Sequence, residues 1–537
     1  VASLGSGLAL DVLRSDNAVG TLSESRFLEE WKELASIDPK CTWFQEPAFV
    51  LDWYQAYRAV AEPLIVLARD EGGRLEGLMC LALMDGGRRL CHAGDHHTEY
   101  HGWIGRPESE ERFVVEAVNR VMETYRPKSW RFRYLPPRAP VDWLRRLSPR
   151  IGVSHQVVSV PIWDLTDTAR LERKLKKGRV RNYINRYRRR GELVYERIES
   201  PARIRAALEQ LALWCDLRQG AANGVLPFGD DPRKLPFHEA LAHRPNSVVF
   251  SALRLSERFL SIHLGGFDGD ELFLGVQGHD PVESALSPGT ILLYEMASDL
   301  AERGARLVDL TPGGDPWKER YATGHREIHS VELFRSNLLA EQARATDTLS
   351  RLASTAARRA GLEPSRIRAA VRSVLSSESS RLARETFAIG AESLGVVSST
   401  PAVVAHPKVL LGFPGKGVEE RRRFFSEASK LMHEGWTPVG SMPDRDRGAE
   451  IERIAFVKRD DVEDVEQGGT LFVRLAHESS DASEPRAWLS AIAEEFRPEG
   501  ERVLLSISPT HARTFAWAKR TGAPSPELPS DTDTDES

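Results

Sequence analysis

Cysteine is scarce in this chain: four occur among 537 residues, at positions 41, 80, 91 and 215, and no two stand in a Cys-x-x-Cys spacing. That scarcity excludes a zinc ribbon or a disulfide framework and is what a reducing cytoplasm allows, so a cytoplasmic location is expected. No apolar run reaches the roughly 18 residues a membrane span needs, and the N-terminus lacks a basic-then-apolar signal pattern. An excess of one charge sign is also missing: 73 Lys and Arg face 78 Asp and Glu, for a net charge of −5. Such a balance draws the whole molecule to neither nucleic acid nor membrane, which leaves local patches to carry any such contact. Metal-ligand spacings are absent too. Asp95-His96-His97-Thr98-Glu99-Tyr100-His101 holds three histidines and two carboxylates. Adjacent ligands on one loop seldom reach one tetrahedral centre, and no metal is expected.

The length is enough for roughly three domains. The most informative stretch is Ser287-Pro288-Gly289-Thr290. Before it, Glu271 to Gly278 is short, apolar and aromatic, which predicts a strand; after it, Ile291 to Leu300 is apolar at helical spacing and ends near Gly304. Arg306 to Leu310 then reads as another strand. A strand, a Gly-containing turn, a helix and a strand offer the unpaired N–H groups of a helix start to an anion, about half a positive charge in all. A phosphate-bearing ligand is one reading of this stretch. The other is a plain helix start with Ser as cap and Pro at the first position.

Two copies of one sketch span the first two-thirds of the chain. Leu64 to Asp70, a turn at Gly72-Gly73 and Leu75 to Met84 predict a strand pair, and Ser247 to Leu255 with Arg258 to Phe267 predict a second. Each is followed by strand, helix and strand patterns, so the fold class is α/β (α+β) with tandem units at 1–160 and 161–337. The second unit opens with ten basic residues and no acid between Arg173 and Arg190. Leu175, Val180, Tyr183, Ile184 and Tyr187 fall on one helical face there, which predicts a basic helix packed on a neighbour. Its cations, Lys177 and Arg181 among them, either solvate the surface or bind an anionic ligand; the missing acids favour the ligand. Nine arginines and no lysine mark 341–385, inside a helical arm expected over 338–400. A separate small α/β domain is expected at 401–525, and an acidic, disordered tail at 526–537.

The tandem strand pairs, the basic helix, Asp280 with Ser287-Pro288-Gly289, and Asp309 with Gly313-Gly314 and Lys318 occur in an order that resembles a known family. It is that of GNAT-superfamily acetyltransferases of cellulose and exopolysaccharide biosynthesis, themselves similar to Fem-type aminoacyl transferases. The resemblance covers about residues 20–335. It implies acyl transfer from acyl-CoA to an amine or hydroxyl of a small, sugar-derived or cell-envelope acceptor. It also implies pyrophosphate binding at Ser287, Gly289, Thr290 and Ile291, with Asp280 and Asp309 as candidate bases and Lys318 as an anion-binding or charge-stabilising group. Glu99, Tyr100 and His263 fall where acceptor contacts are expected, although His263 within Ser261-Ile262-His263-Leu264 also suits a core position. Pro288 departs from the family pattern by removing one N–H donor, which weakens the expected phosphate grip. A catalytically silent scaffold, and a transferase fed by aminoacyl-tRNA, therefore stand as alternatives, the latter without a long helical arm to hold the tRNA.

Overall fold

The computed structural model describes residues 8–345 apart from 177, 245 and 314. Beyond these it describes 385–389, 402–405, 407–413, 417–442, 453–460, 470–478, 502–507 and short pieces between 485 and 524. Lys177, the acidic tail and all of the expected arm except 338–345 and 385–389 lie outside the described residues. Two compact units divide the chain, one of residues 1–208, 233–277 and 290–377, the other of 209–232, 278–289 and 378–537.

The front of the first unit runs β1 (Ala9–Arg14), α1 (Ser15–Ser23), α2 (Ser25–Ile37), α3 (Pro47–Tyr57), β2 (Glu62–Arg69), β3 (Leu75–Met84), β4 (Arg89–His92), β5 (Ile104–Gly105), α4 (Glu110–Tyr125) and β6 (Ser129–Phe132). Strands β1-β2-β3-β4 form a sheet in that order, with β5 on β3. Nine of the ten residues of β3 are buried, which is why its sequence is a near-continuous apolar run rather than an alternation. Helix α4 buries Phe113, Val114, Ala117, Val118, Val121 and Met122, a helical stripe that packs on this sheet. Gly77 makes room for it, since a Cβ there would stand 2.4 Å from the Phe113 ring.

The middle of the chain runs β7 (Gly152–Asp164), α5 (Thr168–Lys176), α6 (Gly178–Arg188), β8 (Leu193–Arg197), α7 (Pro201–Asn223), α8 (Lys234–Ala242), β9 (Val248–Leu255), β10 (Arg258–Asp268), β11 (Glu271–His279), α9 (Pro288–Glu302), β12 (Leu307–Asp309) and β13 (Gly324–Phe334). Eight strands form one sheet in the order β6-β13-β7-β12-β11-β10-β9-β8, so the last strand of the front region joins the edge of the central sheet. Strands β11 and β12 are parallel, and their register holds only from Glu271 opposite Leu307 to Phe273 opposite Asp309. Beyond that pair β11 runs on to His279 while β12 ends, which leaves a notch in the sheet. The connection between the two strands contains α9, whose Leu293, Met296, Ala297 and Leu300 are buried against Val308 and Leu310.

Where one basic helix is expected there are two. Gly178 takes a left-handed backbone (φ 69°) that an L side chain rarely adopts, and the helix restarts there. The apolar face is as expected: Leu171 is buried in the α9 cluster, Leu175 and Val180 pack against it, and Ile184 and Tyr187 are buried.

The second unit holds β14 (Glu385–Ile389), β15 (Ala402–Ala405), α10 (Val418–His433), β16 (Thr437–Met442), β17 (Arg453–Asp460), β18 (Thr470–Glu478), β19 (Arg502–Ile507) and β20 (Ala523–Pro524). Their sheet order is β15-β16-β17-β18-β19-β14-β20. Helix α10 buries Phe424, Phe425, Ala428, Leu431 and Met432, and Phe425 seats on α7 where a Cβ at Gly220 would stand 2.7 Å from the ring. No described helix is long and apolar enough to cross a membrane.

Candidate active site

Polar side chains gather where β11 and β12 part. Asp309, the last residue of β12, is fully buried. It accepts a hydrogen bond from the Tyr100 hydroxyl at 2.5 Å, one from the Arg326 guanidinium, and one from the Thr311 backbone N–H at 2.7 Å. Arg326 also donates to Glu271 at 2.6 Å, so a carboxylate from each of the two parallel strands meets one guanidinium. Burial first, then the nearby Asp309 carboxylate, holds the Tyr100 hydroxyl far above its ordinary range. Thr311 follows with a left-handed backbone (φ 62°), and the turn it makes is stapled by Lys318. The buried Lys318 ammonium donates to the Thr311 carbonyl at 3.0 Å, the Thr311 hydroxyl at 3.2 Å and the Pro312 carbonyl at 3.3 Å.

The loop that carries Tyr100 is fixed from several sides. Asp95 is held by Arg89 at 2.9 and 3.0 Å, and the Gln45 amide and the Thr98 hydroxyl both donate to the Tyr100 carbonyl, at 2.7 and 3.1 Å. His101 lies between the Arg131 and Asp95 carbonyls at 3.2 and 3.1 Å. This bracing sets Glu99 beside Arg133, 4.0 Å from its guanidinium, and within the fields of Lys318 and Asp309. Glu99 Oε2 is buried and has no hydrogen-bond partner among the described residues. Burial raises the carboxyl pKa above the ordinary value, with Arg133 and Lys318 opposing the rise.

Four of the residues singled out in the sequence, Glu99, Tyr100, Asp309 and Lys318, thus share one site. Arg326, Glu271 and Arg133 complete it and carried no local signal, since each acts across strands rather than within a motif. Thr290 lies on the first turn of α9 and receives a hydrogen bond from Tyr321 at 3.1 Å, and Ile291 is fully buried. Arg181 is exposed and donates to the Lys176 carbonyl at 3.0 Å. His263 is fully buried on β10, its ring nitrogens have no hydrogen-bond partner among the described residues, and burial pushes its pKa down to about 3. In the second unit, Asp280 accepts from the Val282 N–H at 3.0 Å as the cap of a short 3-10 turn, Pro281–Leu286. Ser287 closes that turn with φ 45°, and Gly289 follows in the first turn of α9.

Residues 174–319 match the family model described as the acetyltransferase (GNAT) domain. The match takes in α6 to β12 and ends one residue past Lys318. No curated protein matches the chain. Among solved structures, FemX is 12% identical, with 59% of this chain and 98% of that one covered at a TM-score of 0.41. The C-terminal domain of a putative lysylphosphatidylglycerol synthetase from Agrobacterium fabrum is 13% identical, covering 60% and 95% at 0.37. A tandem GNAT protein of the clavulanic acid biosynthesis pathway is 12% identical, covering 60% and 98% at 0.35. Likenesses of that size carry no argument about chemistry; the matched domain and the mixed α/β architecture stand without them.

Proposed function

We propose that the central sheet carries an acyltransferase site that moves an acyl group from a thioester, acyl-CoA first, to an amine or hydroxyl of a small acceptor. A sugar-derived or cell-envelope precursor is the acceptor class we favour. The observation that carries this reading is the parting of β11 from β12 within the segment matched by the acetyltransferase family, with Glu99 and Lys318 set at the parting. Glu99 is the base: its Oε2 is buried, free of hydrogen bonds among the described residues and raised in pKa, as a group that takes a proton near neutral pH should be. The acceptor then attacks the thioester carbonyl, and the oxyanion forms in the field of the Lys318 and Arg133 cations. Collapse breaks the carbon–sulfur bond, and the departing thiolate takes up the proton that Glu99 holds. Asp309 already accepts three donors, so its part is to position Tyr100 and the Thr311 turn.

The donor's phosphates have two sources of positive potential in this reading. One is the start of α9 at Ser287, Gly289, Thr290 and Ile291. The other is the outer face of α5 and α6, where Lys174, Arg179, Arg181 and Arg186 are exposed, as is Arg189 just past the end of α6. On that face Arg173 pairs with Asp167 at 3.9 Å and Lys176 with Glu172 at 2.5 Å. The same face favours a second reading, an aminoacyl-tRNA donor, which predicts tRNA binding that weakens steeply with salt.

Thermal melting with and without acetyl-CoA tests the first reading. Ligand at about 100 times its dissociation constant stabilises the unit that binds it by roughly 2.7 kcal/mol, a shift of several degrees. The shift should vanish in Thr290→Glu and survive in Glu99→Gln, whereas Glu99→Gln should lower turnover about 100-fold or more. A cooperative melt unmoved by CoA, acetyl-CoA and longer thioesters would remove the acyl-CoA reading.

A further inference from the structure

Strand for strand, the sheet of the second unit repeats the central sheet. The central order β8-β9-β10-β11-β12-β7-β13 corresponds to β15-β16-β17-β18-β19-β14-β20, with the same place in the chain for every strand. With β6, which the front region lends to the edge of the central sheet, set aside, the strand that comes first in sequence, β7 or β14, lies in each between the last two strands of the chain order. The directions agree as well. Strands β8 and β9 are antiparallel, as are β15 and β16; β12 and β7 are antiparallel, as are β19 and β14; β7 and β13 are antiparallel, as are β14 and β20. Each sheet has its parallel pair at the same place, β11 with β12 and β18 with β19. Helices fill the same connections: α7 and α8 before β9, α10 before β16, α9 before β12, and helical residues including Trp488, Leu489 and Ile492 before β19. Agreement of seven strands in order and direction, with one parallel pair at one position, is far more than a shared α/β class requires.

The two parallel pairs differ where they part. In the central sheet, β11 beyond Phe273 presents Gly275 to solvent and keeps Val276 and Gln277 half-exposed. In the second unit the last pair is Arg474 opposite Ser506, and β18 continues through the fully buried Leu475 to Glu478. There the Glu478 carboxylate receives Arg453, fully buried at the start of β17, at 3.0 Å from both Nε and Nη2. It also receives the Thr514 hydroxyl and, at 3.3 Å, the Thr514 N–H from the segment after β19. The Trp488 ring, from the connection between the parallel strands, lies 5.3 Å from the Arg453 guanidinium and is fully buried. Four segments of the unit therefore converge on the end of β18, where Arg453, Glu478 and Thr514 are joined by hydrogen bonds.

We propose that residues 385–524 are a further copy of the central fold whose notch is sealed by Arg453, Glu478, Thr514 and Trp488, so that thioester binding is confined to the central sheet and this copy is structural. The inference rests on the proposed function for its ligand but not for the seal. Two measurements on the full chain separate them. Calorimetric titration with acetyl-CoA should give one site per chain, lost in Thr290→Glu and retained in Glu478→Gln. Two sites, or one that survives Thr290→Glu and is lost in Glu478→Gln, would overturn the proposal. If no thioester binds at all, the acyl-CoA reading fails and the seal is judged by melting alone. Glu478→Gln takes a carboxylate from the buried Arg453 and should lower the melting temperature of the second unit by about 10 °C, while the apolar pair Arg453→Met with Glu478→Leu should recover most of it. An unchanged melt in Glu478→Gln would show that the ion pair does not hold the notch closed.

Discussion

Asp309 shows how much one buried carboxylate can organise. Its oxygens tie the turn at Thr311, the guanidinium of Arg326 and a tyrosine 209 positions earlier in the chain. Removing its charge leaves Arg326 with Glu271 as its carboxylate partner and weakens the bonds from Tyr100 and Thr311, so Asp309→Asn should destabilise the fold by about 1–3 kcal/mol, measured by denaturant unfolding. Glu99 predicts a pH effect on rate: its raised pKa places the acid limb of kcat/KM above the ordinary carboxyl value, and Glu99→Asp should shift that limb while Glu99→Gln removes it. His263 predicts one on stability. Its folded pKa of about 3 lies below the unfolded value of 6.5, so the unfolded chain binds the extra proton between them. Stability therefore falls as pH drops from 6.5 towards 3, at a slope approaching about 1.4 kcal/mol per pH unit, and His263→Leu should flatten that slope in chemical denaturation. From the sequence, Glu99 and Tyr100 are expected as acceptor contacts, Asp309 as a base and Lys318 as an anion-binding group; the fold brings these four together. The sequence held no trace of Arg326 or Glu271 as partners, because a strand residue shows its side in the sequence but not its neighbour.

At the scale of elements, periodicity was the reliable guide and register was not. The stripe on α4 and the apolar face of α5 and α6 follow from residue spacing, but the break at Gly178 depends on a single backbone angle. Gly266 on β10 is another residue whose role no local pattern displays: a Cβ there would stand 2.2 Å from the ring of Trp43, which donates to the Ser247 hydroxyl at 2.6 Å. This close approach lets the short 3-10 turn Trp43–Gln45 lie against the central sheet, with Phe44 5.4 Å from Phe273 between ring centres. Gly266→Ala should displace the indole and cost about 1–3 kcal/mol, read as a lower midpoint in urea with loss of native tryptophan fluorescence.

For the molecule as a whole, the tandem reading of the chain rests on local sketches, while its assembly rests on long-range pairing. The front region keeps its own five-stranded sheet yet lends β6 to the edge of the central one, a link between residues 129–132 and 331–334 that no local pattern announces. The C-terminal sketch of strands and helices was legible one element at a time. Its identity with the central topology was not, because strand order is a property of pairing and the sequences have little in common. The compact second unit also takes in residues 209–232 and 278–289, which stand far from its sheet in the chain. If the thioester is bound and used where β11 and β12 part, hydrogen exchange of the full chain with saturating acetyl-CoA shows new protection in 290–300, 309–321 and 97–101, with none in 470–478 or 502–507. Protection confined to the last two segments, or absent from the first three, would contradict that placement.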